Sequence, residues 1–345
     1  MKAAVLYQIG KPLAVESDIE VPALQPGQVL VEVAYSGVCQ SQLMEVRGKR
    51  GEDRYLPHLL GHEASGTVRD IGEGVFKIKS GDKVILTWIK GEGADCAGTQ
   101  YRKDGITINS GPVTTFSDVT VVSENRCIRL PEGVPMDLAP LLGCAIPTGA
   151  GIITNILCPR RENTLTVFGM GGVGLSAVMA AKAYECSMII AVDIEDHKLY
   201  KAKDFGATHL INSSEGKVVD QVFEMTGGKG VDFSIEAVGR AQVVEAAFQS
   251  VRDAGGLCIV AGHPDGNEKA GLKPHDLIRG KQIQGAWGGE SMPDCDIPLF
   301  ARLYLDGKLP LEKLVSHRYK LKEVNQALIH LEERRVTRAL LEFNL

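Results

Sequence analysis

The sequence predicts an α/β protein in which a β-rich domain precedes a doubly wound parallel sheet. Three observations indicate this: the length of 345 residues, an early region of short alternating segments, and a later region in which apolar runs and helical stretches alternate. A chain of this length suits two domains with separate cores. The early region includes QVLVEVAYSG (28–37), GTVRDIG (66–72) and DKVILTWI (82–89). Gly and Pro turns separate these segments, which is typical of antiparallel strands.

The later region begins near residue 165. Strict alternation of strand and helix indicates a parallel sheet with helices on both faces. The predicted strands are LTVFG, MIIAVDI, THLIN, VDFSIEAVG and LCIVAG, and helical stretches include LSAVMAAKAYE, HKLYKAKDFG and AQVVEAAFQSVR. After WGGE (287–290) the alternation stops. A helix near DIPLFARLYLDGKL, a turn, and a final helix and strand follow, so we expect the last segment to return to the first domain.

Composition limits the classes of partner. The net charge is -5, and no Lys/Arg run is present, so neither nucleic acid nor an anionic membrane is expected as a partner. The N-terminus MKAAVLYQIG lacks a long apolar segment, and no stretch approaches 18 uninterrupted apolar residues. A cytoplasmic location is therefore expected.

The eight cysteines are spread along the whole chain. In a reducing compartment, most should be small buried apolar side chains. A metal site built on any of them therefore needs partner ligands from elsewhere in the sequence.

A dinucleotide site is predicted where the strand LTVFG runs into GMGGVG. Gly169, Gly171 and Gly174 have the G-x-G-x-x-G spacing, with Gly172 and Val173 between them, and a helical pattern follows. This Rossmann fingerprint allows a pyrophosphate to lie at the helix N-terminus, where N–H groups and the helix dipole favour anions. Asp193, at the end of the next strand, can accept both ribose hydroxyls and would repel a 2′-phosphate, which favours NAD over NADP.

A metal site is predicted from three further segments. The sequence GHEASG contains His62 and Glu63, LLGCAIPTGAG contains Cys144, and SGVCQSQLMEV contains Cys39. Two thiolates and one imidazole, with a fourth position open, form the donor set of a catalytic zinc site.

These motifs jointly give the chain a resemblance to the zinc-dependent medium-chain alcohol dehydrogenase family. The resemblance extends from MKAAVL to the tail DIPLFARLYLDGKLPLEKLVSHRY. It implies a GroES-like catalytic domain formed by residues 1–147 and 286–345, a Rossmann NAD-binding domain formed by residues 148–285, and an active site in the cleft between them.

The resemblance also implies roles for individual residues. Cys39, His62 and Cys144 correspond to the catalytic zinc ligands, Glu63 to a carboxylate that can transiently bind the metal, and Ser41 to the hydroxyl that begins proton removal. Thr148 and Val173 correspond to residues on the nicotinamide face, Lys198 to one near the adenosine ribose, and Arg338 to one that reaches the pyrophosphate. The implied reaction passes a hydride between the alcohol carbon and the nicotinamide.

The chain departs from the family at two places. Many relatives hold a structural zinc on four cysteines after the GDKV strand, but the region 88–124 contains only Cys96. We therefore expect one Zn²⁺ per subunit, and we expect the segment KGEGADCAGTQYRKDGITINSG to form an ordered lobe or a hairpin.

The second departure follows Cys39. Gln40, Gln42 and Met44 replace residues that in relatives are often basic, acidic and histidine, respectively. Gln42 can still hydrogen-bond a ligand histidine, although a neutral amide increases the basicity of the imidazole less than a carboxylate does. Met44 cannot accept a proton, so we expect the proton to leave through Ser41 and the cofactor ribose directly to water.

The predicted function is NAD-dependent oxidation of an alcohol or reduction of the matching carbonyl. The substrate is either a primary or aromatic alcohol, as the tail suggests, or a polyol, cyclitol or sugar derivative, as the missing structural zinc suggests. Alternatives are a zinc-free enoyl or quinone reductase that uses NADPH, and a non-catalytic member of the fold. A homodimer or homotetramer is expected, formed near KQIQGAWGG at the edge of the Rossmann sheet.

Overall fold

A computed structural model describes residues 1–343. Asn344 and Leu345, which the first predicted domain includes, lie outside the described residues. Two compact units are present: one consists of Met1–Cys144, Met292–Leu305 and the chain from Leu311 onward, and the other of Ala145–Ser291 and Asp306–Pro310.

The strands and helices of residues 1–343 are numbered here in chain order. The strands are β1 (Ala3–Leu6), β2 (Ala14–Glu16), β3 (Gln28–Val38), β4 (His58–Leu59), β5 (Ala64–Ile71), β6 (Lys83–Leu86), β7 (Gln100–Lys103), β8 (Ile106–Asn109), β9 (Val119–Ser123), β10 (Cys127–Arg129), β11 (Thr164–Phe168), β12 (Met188–Asp193), β13 (His209–Asn212), β14 (Phe233–Glu236), β15 (Leu257–Val260), β16 (Gln282–Gly285), β17 (Val315–Lys320) and β18 (Arg338–Glu342). The α-helices are α1 (Gln40–Val46), α2 (Ala145–Gly151), α3 (Gly172–Ala183), α4 (Asp196–Asp204), α5 (Val218–Met225), α6 (Ala241–Ser250), α7 (Pro274–Ile278), α8 (Pro293–Leu305) and α9 (Val324–Glu332).

The first unit contains two mainly antiparallel sheets. The larger has the strand order β10-β6-β5-β3-β18-β17, with β9 also paired to β3, and the smaller has the order β2-β1-β4-β8-β7. The last segment of the chain returns to this unit, because β18 pairs antiparallel with β3. Apolar side chains such as Val31, Val68 and Leu341 fill the core beneath the larger sheet.

The strand predicted over 82–89 ends earlier, at Leu86. The hydroxyl of Thr87 donates to the carbonyl of Gly143 at 2.8 Å and accepts the N–H of Ile89 at 3.1 Å. These side-chain bonds draw the chain out of the ladder, and no alternation pattern reveals them.

The second unit contains a six-stranded parallel sheet of order β13-β12-β11-β14-β15-β16. The predicted α/β fold class is therefore confirmed, and the predicted strands and helices of this region are present. Helix α5 was not identified from the sequence. Val222 on α5 is fully buried and packs in a cluster with Ile190 and Phe248.

The segment that replaces the structural zinc site forms the predicted ordered hairpin, in which Gln100 pairs with Asn109. The loop before it is held by the carboxylate of Glu124, a residue with no solvent exposure. Its oxygens accept the N–H groups of Phe76 at 2.8 Å, Lys77 at 2.7 Å and Ala94 at 2.8 Å. The buried carboxylate of Glu124 thus joins the loop at residues 76–77 to the loop that precedes the hairpin, through protein groups alone.

We expect Glu124→Gln to destabilise the loop at residues 90–98. The amide cannot accept all three N–H groups, and hydrogen bonds to a charged group contribute about 1.5–3 kcal/mol each. Loss of about 2 kcal/mol would accelerate hydrogen exchange in residues 90–98 roughly 30-fold. Exchange measured by mass spectrometry checks this, with Glu132→Gln, an exposed carboxylate of the same unit, as the control. Equal exchange in both variants would contradict it.

The pH dependence of this effect has a definite sign. Burial raises the pKa of Glu124, but the N–H groups of Ala94, Lys77 and Phe76 outweigh it and leave the pKa below its ordinary value. The carboxylate therefore stabilises the fold above the unfolded pKa of about 4.3, and this contribution disappears as the pH falls through the lower folded value.

The expectation that most cysteines are buried is only half correct. Cys127, Cys144, Cys186 and Cys258 are buried, Cys39 and Cys96 are half-buried, and Cys158 and Cys295 are exposed. Among residues 1–343, no helix combines the length and apolar character needed to cross a bilayer.

Candidate functional site

Three segments of the first unit converge at the ends of paired strands. Cys39 directly follows β3 and is the N-cap of α1, and His62 lies just before β5. Since β3 and β5 pair antiparallel, with Ser36 opposite Ala64, the end of one meets the start of the other. The bond from Thr87 to the carbonyl of Gly143 holds the third segment, with Cys144, beside β6. Strand pairing therefore brings together three residues that are distant in sequence.

The donor atoms of Cys39, His62 and Cys144 all lie within 4.8 Å of one another. Nε2 of His62 is 3.3 Å from Sγ of Cys144. The other ring nitrogen, Nδ1, faces away from the sulfurs and contacts Gln42 and Ser41. The imidazole therefore directs Nε2 to the same point as the two sulfurs.

The pKa values of the two thiols, Cys39 and Cys144, are shifted in opposite directions. The hydrogen bond with Cys144 and the nearby His62 lower the pKa of Cys39 well below its ordinary value, despite burial. The same bond, together with burial, raises the pKa of Cys144 well above its ordinary value. One thiolate is thus stabilised within the group even before a cation is considered.

This donor set suits zinc. Two cysteine sulfurs and one imidazole nitrogen match the soft and borderline ligands that Zn²⁺ prefers, and three protein ligands leave one position open, as in catalytic sites. A divalent cation would also remove the remaining proton from Cys144, because metal-bound thiols are deprotonated. The chemistry of the residues present therefore fits the predicted metal.

Glu63 lies beside this group, but its carboxylate is not among the converging donor atoms. Oε1 of Glu63 pairs with the guanidinium of Arg338, and both side chains are almost completely buried. Oε2 of Glu63 and Nε of Arg338 have no hydrogen-bond partner among the described residues. The ion pair thus retains one free acceptor and one free donor.

The environment of this pair shifts both pKa values. Burial raises the pKa of Glu63, and the charge of Arg338 only partly offsets this. Burial disfavours the Arg338 cation, but Glu63 and the Cys39 thiolate outweigh it and hold its pKa above its ordinary value. The predicted role of Arg338 at a pyrophosphate remains a proposal, and its observed partner is Glu63.

Gly37 makes room for the carboxylate of Glu63. A Cβ atom at position 37 would lie 2.3 Å from Oε1 of Glu63 and 2.5 Å from its carboxyl carbon. Any larger residue would therefore displace the ion pair. This gives a steric reason for the glycine in SGVC.

Gln42 contacts both Cys39 and His62, so the expected contact between Gln42 and this histidine is present. Its Oε1 accepts the N–H of Cys39 at 3.0 Å, and its Nε2 contacts Nδ1 of His62. An imidazole that binds a metal through Nε2 carries its proton on Nδ1 and needs an acceptor there. In this orientation the carbonyl oxygen of Gln42 faces Cys39 and its amide nitrogen faces His62, so Gln42 offers Nδ1 no acceptor, whereas a carboxylate would offer one oxygen to each N–H group.

We therefore expect Gln42→Glu to strengthen zinc binding. The carboxylate would accept both N–H groups and increase the basicity of the imidazole, and such partners typically change metal affinity about 10–100-fold. Competition with a chromogenic chelator measures this without an activity assay. Gln40→Glu, the same change at an exposed position of α1, is the control. Unchanged or weaker affinity in the Gln42 variant would contradict the expectation.

Two further residues lie against His62. The hydroxyl of Ser41 is 3.4 Å from Nδ1 of His62. The indole of Trp88 meets the imidazole edge-on, with 6.5 Å between ring centroids. Ser41, predicted to begin proton removal, therefore lies close to the predicted metal ligands.

The predicted dinucleotide loop lies between β11 and α3, as the fingerprint requires. Gly171 caps α3, and a Cβ atom at this position would meet nothing within 4 Å, so an anion can approach the helix N-terminus. At Gly174, a Cβ atom would lie 1.8 Å from the carbonyl oxygen of Gly169. Only glycine allows this close packing of helix on loop.

Asp193 ends β12 and braces the loop. Oδ2 accepts the N–H of Met170 at 2.7 Å, and Oδ1 accepts the N–H of Glu195 at 3.1 Å. Each oxygen keeps a second lone pair that can accept a ribose hydroxyl. The carboxylate is thus positioned before any ligand binds.

Three more of the predicted cofactor residues lie in the second unit, whereas Arg338 lies in the first. Thr148 is buried on α2, Val173 is half-buried in the first turn of α3, and Lys198 is half-buried on α4. The Glu63–Arg338 pair was not anticipated, although both residues were named. Its only sequence signal is a charged residue that directly precedes the apolar residues 339–341 of β18.

Comparisons with known proteins agree with this geometry. Residues 25–132 match the alcohol dehydrogenase GroES-like domain, and residues 172–302 match the zinc-binding dehydrogenase family. An alcohol dehydrogenase of Malus domestica is 30% identical over 96% of this chain and 93% of its own length.

Two solved structures are also similar to this chain. An alcohol dehydrogenase zinc-binding domain protein from Burkholderia ambifaria superposes with a TM-score of 0.92, at 32% identity over 100% of this chain and 99% of its own. Benzyl alcohol dehydrogenase from Acinetobacter calcoaceticus superposes with a TM-score of 0.90, at 31% identity over 99% of both chains. The resemblance is confirmed, and this chain belongs to the zinc-dependent medium-chain alcohol dehydrogenase family.

Proposed function

We propose that this protein is a zinc- and NAD-dependent alcohol dehydrogenase that transfers a hydride between an alcohol and the nicotinamide ring. The observation that carries the proposal is the convergence of Cys39, His62 and Cys144 within 4.8 Å, in a chain of the alcohol dehydrogenase family. The glycine loop at 169–174 and the carboxylate of Asp193 support the choice of NAD.

Each residue of the site has a role in this proposal. Zinc held by Cys39, His62 and Cys144 would supply a Lewis acid that lowers the pKa of an alcohol oxygen. The hydroxyl of Ser41 would take the alcohol proton and pass it on, while Gln42 orients the imidazole. Glu63 would keep a negative charge near the metal ligands, held in place by Arg338.

We expect the proton to leave without a histidine relay. Met44 is 7% exposed and offers no proton acceptor at the position where relatives often have histidine. The pH profile of kcat should therefore be the same in the wild type and in His58→Gln, a variant at a buried histidine on β4 that is outside the three donors. A group with a pKa near 6.5 that disappears in this variant would show that the route is wrong.

The substrate is proposed to be a primary or aromatic alcohol or a polyol, cyclitol or sugar derivative. Trp88 beside His62 and the similar benzyl alcohol dehydrogenase favour the first class. The absence of four cysteines between residues 88 and 124 favours the second. Arg47 is not available to an anionic substrate, because its guanidinium pairs with the carboxylate of Glu332.

The deciding experiment is a panel of alcohols, polyols and aldehydes assayed with NAD(H) and NADP(H), with Cys39→Ala as the control. Turnover with NAD that depends on Cys39 would support the proposal. Turnover of enones or quinones with NADPH in both proteins would indicate a zinc-free reductase. Stabilisation by NAD without turnover of any substrate would indicate a non-catalytic member of the fold.

We also propose that the chain forms a homodimer or homotetramer through the edge of the Rossmann sheet. Strand β16 is the last strand of this sheet, and no strand within residues 1–343 pairs with its outer side. Exposed apolar side chains flank it: Ile278 is 80% exposed and Trp287 is 70% exposed. An unpaired edge with apolar neighbours is suited to pairing with a second copy, which light scattering would detect.

A further inference from the structure

The second unit has a cavity of about 390 Å³ away from its predicted cofactor residues. Its lining includes Phe223, Lys229, Arg252, Arg279 and Lys281. These residues precede strands of the parallel sheet: Lys229 precedes β14, Arg252 precedes β15, and Lys281 directly precedes β16. The glycine loop instead follows the carboxyl end of β11. Since all strands of this sheet run in one direction, the cavity lies at the amino ends of the strands and the glycine loop lies at their carboxyl ends.

Lys281 is an unusual buried cation. Its residue is 7% exposed, its Nζ donates to the carbonyl of Gln249 at 2.6 Å, and it lies 5.6 Å from the ring centroid of Phe223. Within the described chain, no carboxylate lies within the 4.0 Å that defines an ion pair with this ammonium. Burial lowers its pKa, as expected for a cation removed from water. Asp276 and Asp253 act on this ammonium only from beyond contact distance, so an anion that reached it would gain a direct ion pair.

The two arginines of the cavity, whose side chains are 40% and 54% exposed, each contact a carboxylate. Nε of Arg252 donates to Oδ1 of Asp232 at 2.8 Å, and its Nη1 donates to the carbonyl of Asp253 at 3.1 Å. Arg279 pairs with the carboxylate of Asp253. These contacts order the guanidinium groups before any ligand arrives, which reduces the entropy that binding would otherwise cost.

The charge around the cavity is positive. Four cations line it: Lys229, Arg252, Arg279 and Lys281. The nearby carboxylates are those of Asp232, Asp253 and Asp276. Four positive charges against three negative charges leave an excess of one positive charge. Lys229 is exposed and forms no ion pair among the described residues. Net positive charge in a concave site attracts anions from solution.

We propose that this cavity binds a phosphate dianion, either free or as the ester of a small molecule. A tetrahedral dianion can accept hydrogen bonds from several directions, which suits guanidinium and ammonium groups on three chain segments. Cavities of about 300–1,000 Å³ hold small-molecule ligands, so there is room for an organic part. This site is separate from the pyrophosphate position expected at the glycine loop.

Calorimetric titration of the NAD-saturated, zinc-loaded protein tests the proposal. Saturating NAD occupies the glycine loop, so added phosphate can reach only other sites. Inorganic phosphate should bind with one site per subunit, and potassium chloride at equal ionic strength should not reproduce the heat. Glycerol 3-phosphate as a second probe distinguishes the sources: tighter binding than phosphate indicates an ester, and equal or weaker binding indicates the free ion.

Lys281→Met should weaken phosphate binding at least about tenfold, because it removes a charged hydrogen-bond donor. The thioether side chain retains an apolar stem beside Phe223. Lys203→Met makes the same change on α4 outside the cavity and should leave the affinity unchanged. If Lys281→Met does not fold, Lys229→Met, at an exposed position of the cavity, should still weaken binding about threefold or more.

Four results would overturn the proposal. They are heat that does not saturate, equal heat from chloride, displacement of NAD by phosphate, and equal affinities in the folded cavity variant and Lys203→Met. None of these results depends on alcohol turnover, so the phosphate site and the proposed activity can fail independently.

Discussion

Replacing Cys39 with alanine will remove the bound zinc and lower kcat/KM for alcohol oxidation by about 10³-fold or more. The substitution removes one of three donors, and the two that remain, His62 and Cys144, cannot hold Zn²⁺ at a catalytic affinity. Loss of Lewis-acid stabilisation of several kcal/mol corresponds to this factor, since each 1.36 kcal/mol changes the rate tenfold. Elemental analysis should find one zinc per subunit in the wild type and none in the variant.

The control for this experiment is Cys295→Ala, the same change at an exposed cysteine of the first unit. It should retain both zinc and activity. Binding of NAD by the Cys39 variant will show that the second unit remains folded. Two zinc ions in the wild type would contradict the single site, and full activity without zinc would contradict the proposed chemistry.

Replacing Asp193 with asparagine will reduce the preference for NAD over NADP by about 10²–10³-fold in the ratio of kcat/KM values. The carboxylate is proposed to accept the ribose hydroxyls, and hydrogen bonds to a charged group contribute about 1.5–3 kcal/mol. Loss of the charge also removes the repulsion of a 2′-phosphate. In addition, the amide can accept only one of the N–H groups of Met170 and Glu195, so binding of NAD itself should weaken.

Kinetic assays with both coenzymes check this second expectation. Asp204→Asn, which neutralises an exposed carboxylate at the end of α4, is the matched control and should leave the ratio unchanged. A wild type that prefers NADP, or an Asp193 variant with an unchanged ratio, would show that this carboxylate does not select the coenzyme.

The parts of the site that the sequence reveals are those encoded by short, local patterns. The glycine loop and Asp193 occur within one strand-helix-strand unit, and their spacing within that context predicts them. The parallel sheet is equally local, because apolar runs and helical stretches alternate throughout the second unit. The three proposed metal ligands come from distant segments; their donor chemistry suggested the set, and the family resemblance implied their individual roles.

Contacts that depend on strand register could not be derived in this way. Glu63 and Arg338 are 275 positions apart, and they meet because β18 and β5 both flank β3. The support of the loop at 90–98 by Glu124 depends on buried hydrogen bonds that leave no periodic signal. Likewise, the cations of the proposed phosphate site come from three segments and converge only when the sheet is assembled.

The position of β18 has a consequence for biosynthesis. During translation, all residues of the second unit have been synthesised once the ribosome passes Pro310. Strand β3 of the first unit can pair with β18 only later, when residues 338–342 have been synthesised. Domains generally fold as units during synthesis, so the unit that emerges first from the ribosome is the one completed last. Until then, the Tyr35–Val38 end of β3 lacks its neighbour and is open to incorrect pairing, whereas Gln28–Glu32 can already pair with β9.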